Sequence, residues 1–361
     1  MAAKAPRGRD FDKMKIIITG GAGFIGCNAA SRYLRRGDRV IVVDNLGREG
    51  VERNLEWLRP QGALEFARID IRDRSELSWL FGQHRDADRV LHLAAQVAVT
   101  TSVTDPRADF EVNALGTFNV LEAMREARME AAFLYSSTNK VYGEMTDVGI
   151  CESNGRYAYQ SLPTGVSEDR CLDFHSPYGC SKGAADQYAI DYHRIYGLRT
   201  IVFRQSCIYG YRQFGAEDQG WVAWFMIAAQ LGRPITVYGD GKQVRDILFI
   251  DDLLDAYDAA FSAREAAFGR AYNIGGGVEN VLSLQELISY IGERQGRKLP
   301  HAYDNWRPGD QKVFVSDIGR AKAELGWTPK VTCARGLDLL YDWVSENREL
   351  FLAPAPAESA L

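Results

Sequence analysis

Short, nearly unbroken apolar runs recur through the first two hundred residues. They are "KIIIT" (15–19), "RVIVVD" (39–44), "LEFARIDI" (64–71), "RVLHLAA" (89–95), "AAFLYSS" (131–137) and "RTIVFRQS" (199–206). Helical stretches separate most of them. Strands that are apolar on both faces and alternate with helices predict a parallel sheet covered on both sides, a Rossmann-type doubly wound α/β fold. After about residue 207 the pattern loosens. "QGWVAWFMIAAQLG", "SLQELISYIGERQG" and "ARGLDLLYDWVSENREL" read as helices, and "ITVYG" and "DILFI" as short strands. The expected organisation is a cofactor domain over 14–207, with segments around 244–277 returning to it. A smaller mixed α/β C-terminal substrate lobe covers 208–243 and 278–350. Residues 1–13 and 351–361 read as flexible tails. No low-complexity linker separates the lobes, so they are expected to share a cleft.

Charge and composition remove several classes of function. The formal net charge is −5 with no basic block, which argues against a nucleic-acid partner. No apolar run approaches the ~18 residues of a membrane span, and "MAAKAPRGRDFDK" lacks the apolar core of a secretory signal. The cysteines at 27, 151, 171, 180, 207 and 333 form no C-x-x-C, and the five histidines are dispersed. That pattern predicts no metal site and reduced thiols in a cytoplasmic protein.

The first strand opens into "ITGGAGFIG", which places Gly20, Gly23 and Gly26, with Phe24 and Ile25 between them, at a strand-to-helix turn. Glycines there permit a tight turn and close approach of backbone to a pyrophosphate, and the helix N-terminus offers it free N–H groups. Asp44, followed by Asn45, closes the second strand eighteen residues after Gly26. A carboxylate at that point accepts both ribose hydroxyls and repels a 2′-phosphate, so the expected cofactor is NAD.

A second constellation carries the chemistry. "YSSTNKVYG" puts Thr138 where the fifth strand ends, and "HSPYGCSKGAADQY" opens a helix with Ser176 as cap and Pro177 as its first residue. Tyr178 and Lys182 then lie four apart on one helix face. A phenol with an ordinary pKa near 10 needs about 4 kcal/mol of preferential phenolate stabilisation to serve as a base near neutral pH. An ammonium and a nicotinamide cation close by are expected to supply it. Tyr178 is then the base that takes a sugar hydroxyl proton, Lys182 holds the nicotinamide ribose, and Thr138 hydrogen-bonds the reacting oxygen.

With its G-x-x-G-x-x-G spacing, the chain resembles the extended short-chain dehydrogenase/reductase superfamily. The resemblance implies that Asp70 and Ile71 contact adenine, that Leu93, Ala94 and Ala95 form a wall along the cofactor, and that Asn113 is structural. Arg245 and Arg307 match phosphate-binding positions. Arg212 and Gln213 are candidates for the sugar or base pocket, and Tyr238 for stacking on the base. Superfamily members that dehydrate sugar nucleotides carry an Asp-Glu pair after the Ser/Thr, whereas this chain carries Asn139 and Lys140. The expectation is therefore redox without elimination, an epimerase. The "YSSTNKVYG", "RQFGAEDQGWVAWF" and "LDFHSPYGCSKGAADQY" segments together resemble the CDP-paratose (CDP-tyvelose) 2-epimerases. That implies a CDP-linked 3,6-dideoxyhexose, inversion at C2, a place in lipopolysaccharide O-antigen biosynthesis and a homo-oligomer, dimer or tetramer. A 2- or 4-epimerase of another nucleotide hexose (CDP- or GDP-glucose/mannose, or UDP-glucose) and a non-catalytic NAD-binding sensor remain alternatives. A route through enolisation would need a second base, and the 144–175 loop offers Glu152, Glu168 and Asp173 without an obvious choice among them.

Overall fold

The computed structural model describes residues 13–307 and 309–352. Seven parallel strands form the central sheet: β1 (Lys15–Thr19), β2 (Arg39–Val43), β3 (Leu64–Ala67), β4 (Arg89–His92), β5 (Ala132–Thr138), β8 (Thr200–Gln205) and β12 (Arg270–Ile274), in the order β12-β8-β5-β4-β1-β2-β3. The numbering leaves room for a hairpin, β6 (Ile150–Ser153) and β7 (Arg156–Tyr159), and for β9 (Cys207–Tyr209), β10 (Thr236–Tyr238) and β11 (Val244–Phe249). After β12 come β13 (Val281–Ser283), β14 (Ala302–Asp304) and β15 (Val313–Phe314).

The apolar strands are buried on both faces, as their pattern requires. Ile16 and Ile18 of β1, with Val40 and Val42 of β2, enter one core, while Ile17, Ile41 and Val43 enter the other. Successive side chains of a strand point to opposite faces, so an unbroken apolar run fits only a sheet covered twice. The first core continues without a break into the C-terminal half, through Val222, Phe225, Met226, Leu287, Leu337 and Leu340.

Two predicted strands are shorter in the structure. β3 stops at Ala67, and the chain turns so that Asp73 N–H meets the Asp70 carbonyl. β4 stops at His92 because β1, its partner, ends at Thr19 and gives way to the glycine turn. Leu93–Ala95 therefore leave the sheet, lining a cleft instead. The expected return of residues 244–277 to the main sheet holds for β12, which pairs with β8. It does not hold for β11. After a break at Ser206, the strand that follows β8 heads elsewhere, and β11 pairs with that strand, β9, and with β13 and β15 in a separate sheet. Phe351, expected in a tail, is buried against Phe214 and Trp343. Of the expected tails, positions 1–12 and 353–361 lie outside the described residues.

The strand order reverses between β1 and β4, which places a crevice outside their carboxyl ends, the usual ligand position in such sheets. Among the described residues, no helix is long and apolar enough to cross a membrane.

Candidate active site

A cleft of about 770 Å³ runs from the glycine turn to the C-terminal half. One end is backbone. Gly20 sits at φ +67°, and a Cβ there would lie 2.6 Å from the Ala94 nitrogen. A Cβ on Gly26 would lie 2.2 Å from the Gly20 carbonyl oxygen. These glycines are fixed by close approach of three chain segments, which no side chain permits. The Phe24–Arg35 helix starts here with no side-chain cap and no acidic residue in its first turn, so its positive end is open to an anion.

Asp44 stands at the end of β2, nearly buried. Its Oδ2 accepts from Ala22 N–H (3.1 Å) and its Oδ1 from Leu46 N–H (2.9 Å). Burial pushes its pKa up, and those amides oppose the rise. Asn45 donates to Asp70 Oδ2 at 3.0 Å. Asp70 is gripped by Arg72, which holds its carboxyl well below the usual range. Ile71 packs under Gly116. Gly20, Gly23, Phe24, Ile25, Gly26, Asp44, Asn45, Asp70, Ile71 and Leu93–Ala95 all line this end. A backbone cradle beside an open helix terminus, with a buried carboxylate beyond, fits a dinucleotide.

The middle of the cleft holds Thr138, Tyr178 and Lys182. Ser176 Oγ accepts from Gly179 N–H (3.2 Å) inside the first turn of the Ser176–Tyr196 helix; the cap position falls one residue earlier than expected, on His175, whose side chain makes no cap bond, and Pro177 follows in the first turn. The helix start is further fixed by Tyr178 N–H donating to Ser102 Oγ (3.2 Å). Thr138 Oγ1 accepts from Lys140 N–H (3.2 Å), which ends β5 in a tight turn over Asn139–Tyr142. The Thr138 hydroxyl, which donates to Asn139 Oδ1 (3.3 Å), stands beside Tyr178 and tempers the rise in its pKa.

The electrostatics differ from the sequence expectation. Burial dominates, and Tyr178 is pushed up to about 12. Lys182 is buried as well, and burial brings its amine down to about 7 against the attraction of Asp109 and Asp186. Its Nζ donates to the Ser136 carbonyl (2.5 Å) and lies 4.4 Å from the Tyr135 ring centroid. The amine is thus directed at the strand, and apart from the Thr138 hydroxyl no group of the protein lowers the phenol.

Several supporting residues were not singled out from sequence. Asp109 accepts from Ser181 Oγ (2.5 Å) and from Gln96 and Asn113 side chains (3.0 Å each), a buried polar group lying under Tyr178 and Lys182. Asn113 falls in a one-turn π segment, Glu111–Leu115. Asp186 takes both ends of the Arg204 guanidinium (3.0 and 3.1 Å) and the Ser137 hydroxyl (2.8 Å). Asp186 lies one further turn along from Lys182, a spacing that could have revealed it. In the Asp109 group only Asn113 had been marked, as a structural residue; Asp109, Gln96 and Ser181 gave no signal, because they come together from three separate segments.

At the far end, Arg245 pairs with Asp310 (2.6 Å) and Arg307 with Asp218 (3.1 Å). The Arg307 guanidinium stacks 3.8 Å from the Tyr238 ring centroid, and Tyr238 Oη donates to Glu217 (3.0 Å). Gln213 lines the cleft with its carbonyl oxygen buried and unpartnered. Arg212, expected beside it, is a correction: it is not among the lining residues and stacks on Trp57 at 4.4 Å, beside Cys27. Its backbone lies at φ +62°. Arg48, which sequence did not suggest, reaches across the cleft to donate to Gln219.

Comparisons with known proteins agree with this geometry. The family described as GDP-mannose 4,6 dehydratase matches residues 17–340. A CDP-paratose 2-epimerase of Salmonella typhi is 45% identical over 337 residues, 92% of this chain and 99% of that protein. Among solved structures, UDP-glucuronic acid 4-epimerase of Bacillus cereus, in complex with UDP-glucuronic acid and NAD, superposes with a TM-score of 0.79 at 29% identity, covering 92% of this chain and 99% of that one. The dTDP-glucose 4,6-dehydratase DesIV of Streptomyces venezuelae, with NAD bound, gives 0.80 at 29% identity, covering 93% and 98%. A glycine turn, a Thr-Tyr-Lys trio and a cleft at the strand ends accompany a match over nine-tenths of the sequence, and the chain belongs to this family of extended short-chain dehydrogenases/reductases.

Proposed function

We propose that this NAD-dependent nucleotide-sugar epimerase inverts C2 of a CDP-linked 3,6-dideoxyhexose, converting CDP-paratose to CDP-tyvelose. The observation that carries the reading lies beside Tyr178. The residues after Thr138 are Asn139 and Lys140, and every carboxylate lining the cleft is engaged elsewhere. Asp44 and Asp70 sit at the cofactor end, Asp310 is on Arg245, Asp218 on Arg307, and Glu217 on Tyr238. No carboxyl group among the described lining residues is placed to expel water, so the dehydration in the family's name is not served. Redox at one carbon, reversed on its other face, needs only the trio and bound NAD as hydride acceptor and donor. The 45% identity to a 2-epimerase over nearly the whole of both chains supports C2 and the cytidine nucleotide.

In this reading Tyr178 Oη takes the proton of the reacting hydroxyl and returns it after the sugar has turned over. Thr138 Oγ1 holds that oxygen in line. NAD, when bound, accepts and gives back the hydride and brings a pyridinium charge that favours the phenolate. Bringing Tyr178 from about 12 to near neutrality takes roughly 7 kcal/mol of preferential stabilisation. Lys182, with an amine near 7, can hold the cofactor's ribose hydroxyls while giving up or taking a proton at little cost.

The test is incubation of the NAD-loaded protein with CDP-paratose, CDP-glucose, GDP-mannose and UDP-glucose in D2O, followed by proton NMR. C2 inversion of CDP-paratose without deuterium at C2 is the expected result. Inversion only at C4, or only of another nucleotide sugar, replaces the proposal with that activity. Deuterium at C2 replaces direct oxidation there with an enolisation route.

A further inference from the structure

Lys140 has a setting that neither the trio nor the pairs above explain. It lies two residues beyond Thr138, in the turn that closes β5, and it lines the cleft. Its Nζ donates to the Gly309 carbonyl (3.2 Å) and the Gln311 amide oxygen (3.4 Å). An ammonium has three donors, so one remains for a ligand. Among the described residues no carboxylate lies within ion-pair distance of it. Asp310, which stands between the two residues that hold Lys140, is spent on Arg245 at 2.6 Å. One short segment, Gly309-Asp310-Gln311, therefore seats two cations on the same wall, and Gln311 is itself anchored to the Gly143 carbonyl. Repulsion from Arg245 adds to burial in bringing the Lys140 amine down to about 8, which still leaves it mostly charged at neutral pH.

Two neighbouring cations, of which only Arg245 has a carboxylate partner, suit a ligand group carrying more than one negative charge. In a nucleotide sugar that group is the diphosphate. C2 is bonded to C1, which carries the phosphate oxygen, whereas C4 lies across the ring from it. A phosphate drawn to within two residues of Thr138 places C2 beside the trio and moves C4 away. Resting on the epimerase reading above, we propose that Lys140, together with Arg245, binds the sugar-linked phosphate and thereby selects C2 as the carbon oxidised. The same anchor gives the keto sugar a fixed pivot about which to turn.

The experiment measures, by calorimetry on the NAD-loaded protein, the binding of CMP and CDP, with UMP and UDP in parallel, to wild type, Lys140→Met, Lys140→Gln and Lys140→Arg. Thermal melting of each variant establishes that it is folded, and two neutral variants guard against the failure of one. The expected result is a loss of about tenfold or more in affinity for the diphosphate in K140M and K140Q. Monophosphate affinity should change less than threefold, and K140R should recover most of the loss. The KM for the sugar nucleotide should rise with it. Unchanged diphosphate affinity overturns the proposal, and so does an equal loss for mono- and diphosphate. Full affinity with a fallen kcat and a lost limb in the pH–rate profile also overturns it, by assigning the amine an acid–base role. If wild type binds these nucleotides with the expected preference but inverts no C2, the phosphate seat stands. In that case it is the proposed reaction and its C2 selection that fall.

Discussion

The cofactor end of the cleft is made of backbone held by a seven-stranded sheet, and the nucleotide end is made of cations held by loops and short sheets. At the first end there is no slack: the Gly20 and Gly26 positions leave no room for one methyl group. On the same sheet, under the trio, the Asp186–Arg204 pair is buried, with side-chain exposures of 0% and 5%. At the second end, Arg307 and Asp218 retain 22% and 51% exposure. A desolvated pair is costly to break because each partner would be left as an uncompensated buried charge. A half-exposed pair contributes little and can be exchanged, since water stabilises whichever partner leaves. The comparison teaches that one end is built to hold a ligand permanently in one place. The other end can trade protein carboxylates for incoming phosphates.

The largest expected effect lies where the two ends meet. Tyr178→Phe should lower kcat by about 10³-fold or more while acid-released NAD stays at the wild-type amount. Turnover within tenfold of wild type would remove the phenol from the base role. Next is the buried pair. Asp186→Ala should cost about 3–5 kcal/mol in urea denaturation, and a loss below 1 kcal/mol would erase the contrast between the two ends. Arg307→Ala should change stability by no more than about 1 kcal/mol while raising KM about tenfold. If stability fell as far as in Asp186→Ala, the nucleotide end would be as rigid as the cofactor end.

The smallest effect is a slope. The Lys182 amine has a folded value of about 7, below its unfolded value near 10.4. Between those values the unfolded chain binds more protons, so stability rises with pH. From pH 7 to 8.5 wild type should gain about 1 kcal/mol per pH unit relative to Lys182→Met. Parallel curves for the two proteins would mean that the amine is not desolvated by its surroundings.

The epimerase chemistry depends on one strand end that reads clearly in sequence and on charges that do not. β5 is an apolar run that stops at hydroxyl residues, so Thr138 could be placed without a structure. The tyrosine helix announced itself through Ser176, Pro177 and the four-residue spacing to Lys182. What could not be read was the sign of the pKa changes. Proximity of a lysine suggests a lowered phenol, yet Lys182 turns to the Ser136 carbonyl and the Tyr135 ring, and burial raises Tyr178 instead. Arg212 failed for a similar reason, since its partner is the Trp57 ring, 155 positions earlier in the chain.

The sequence by itself determined the parallel sheet, the glycine turn, Asp44 at its place and the trio, because each is a local pattern whose period or spacing dictates its geometry. The tertiary structure alone decided that β11 leaves the main sheet, that Asp109, Ser181 and Asn113 meet under the trio, and that Gly309–Gln311 seats Lys140 beside Arg245. Those outcomes depend on segments far apart in the chain, and on desolvation, which depends on everything packed around a group and not on its neighbours in sequence.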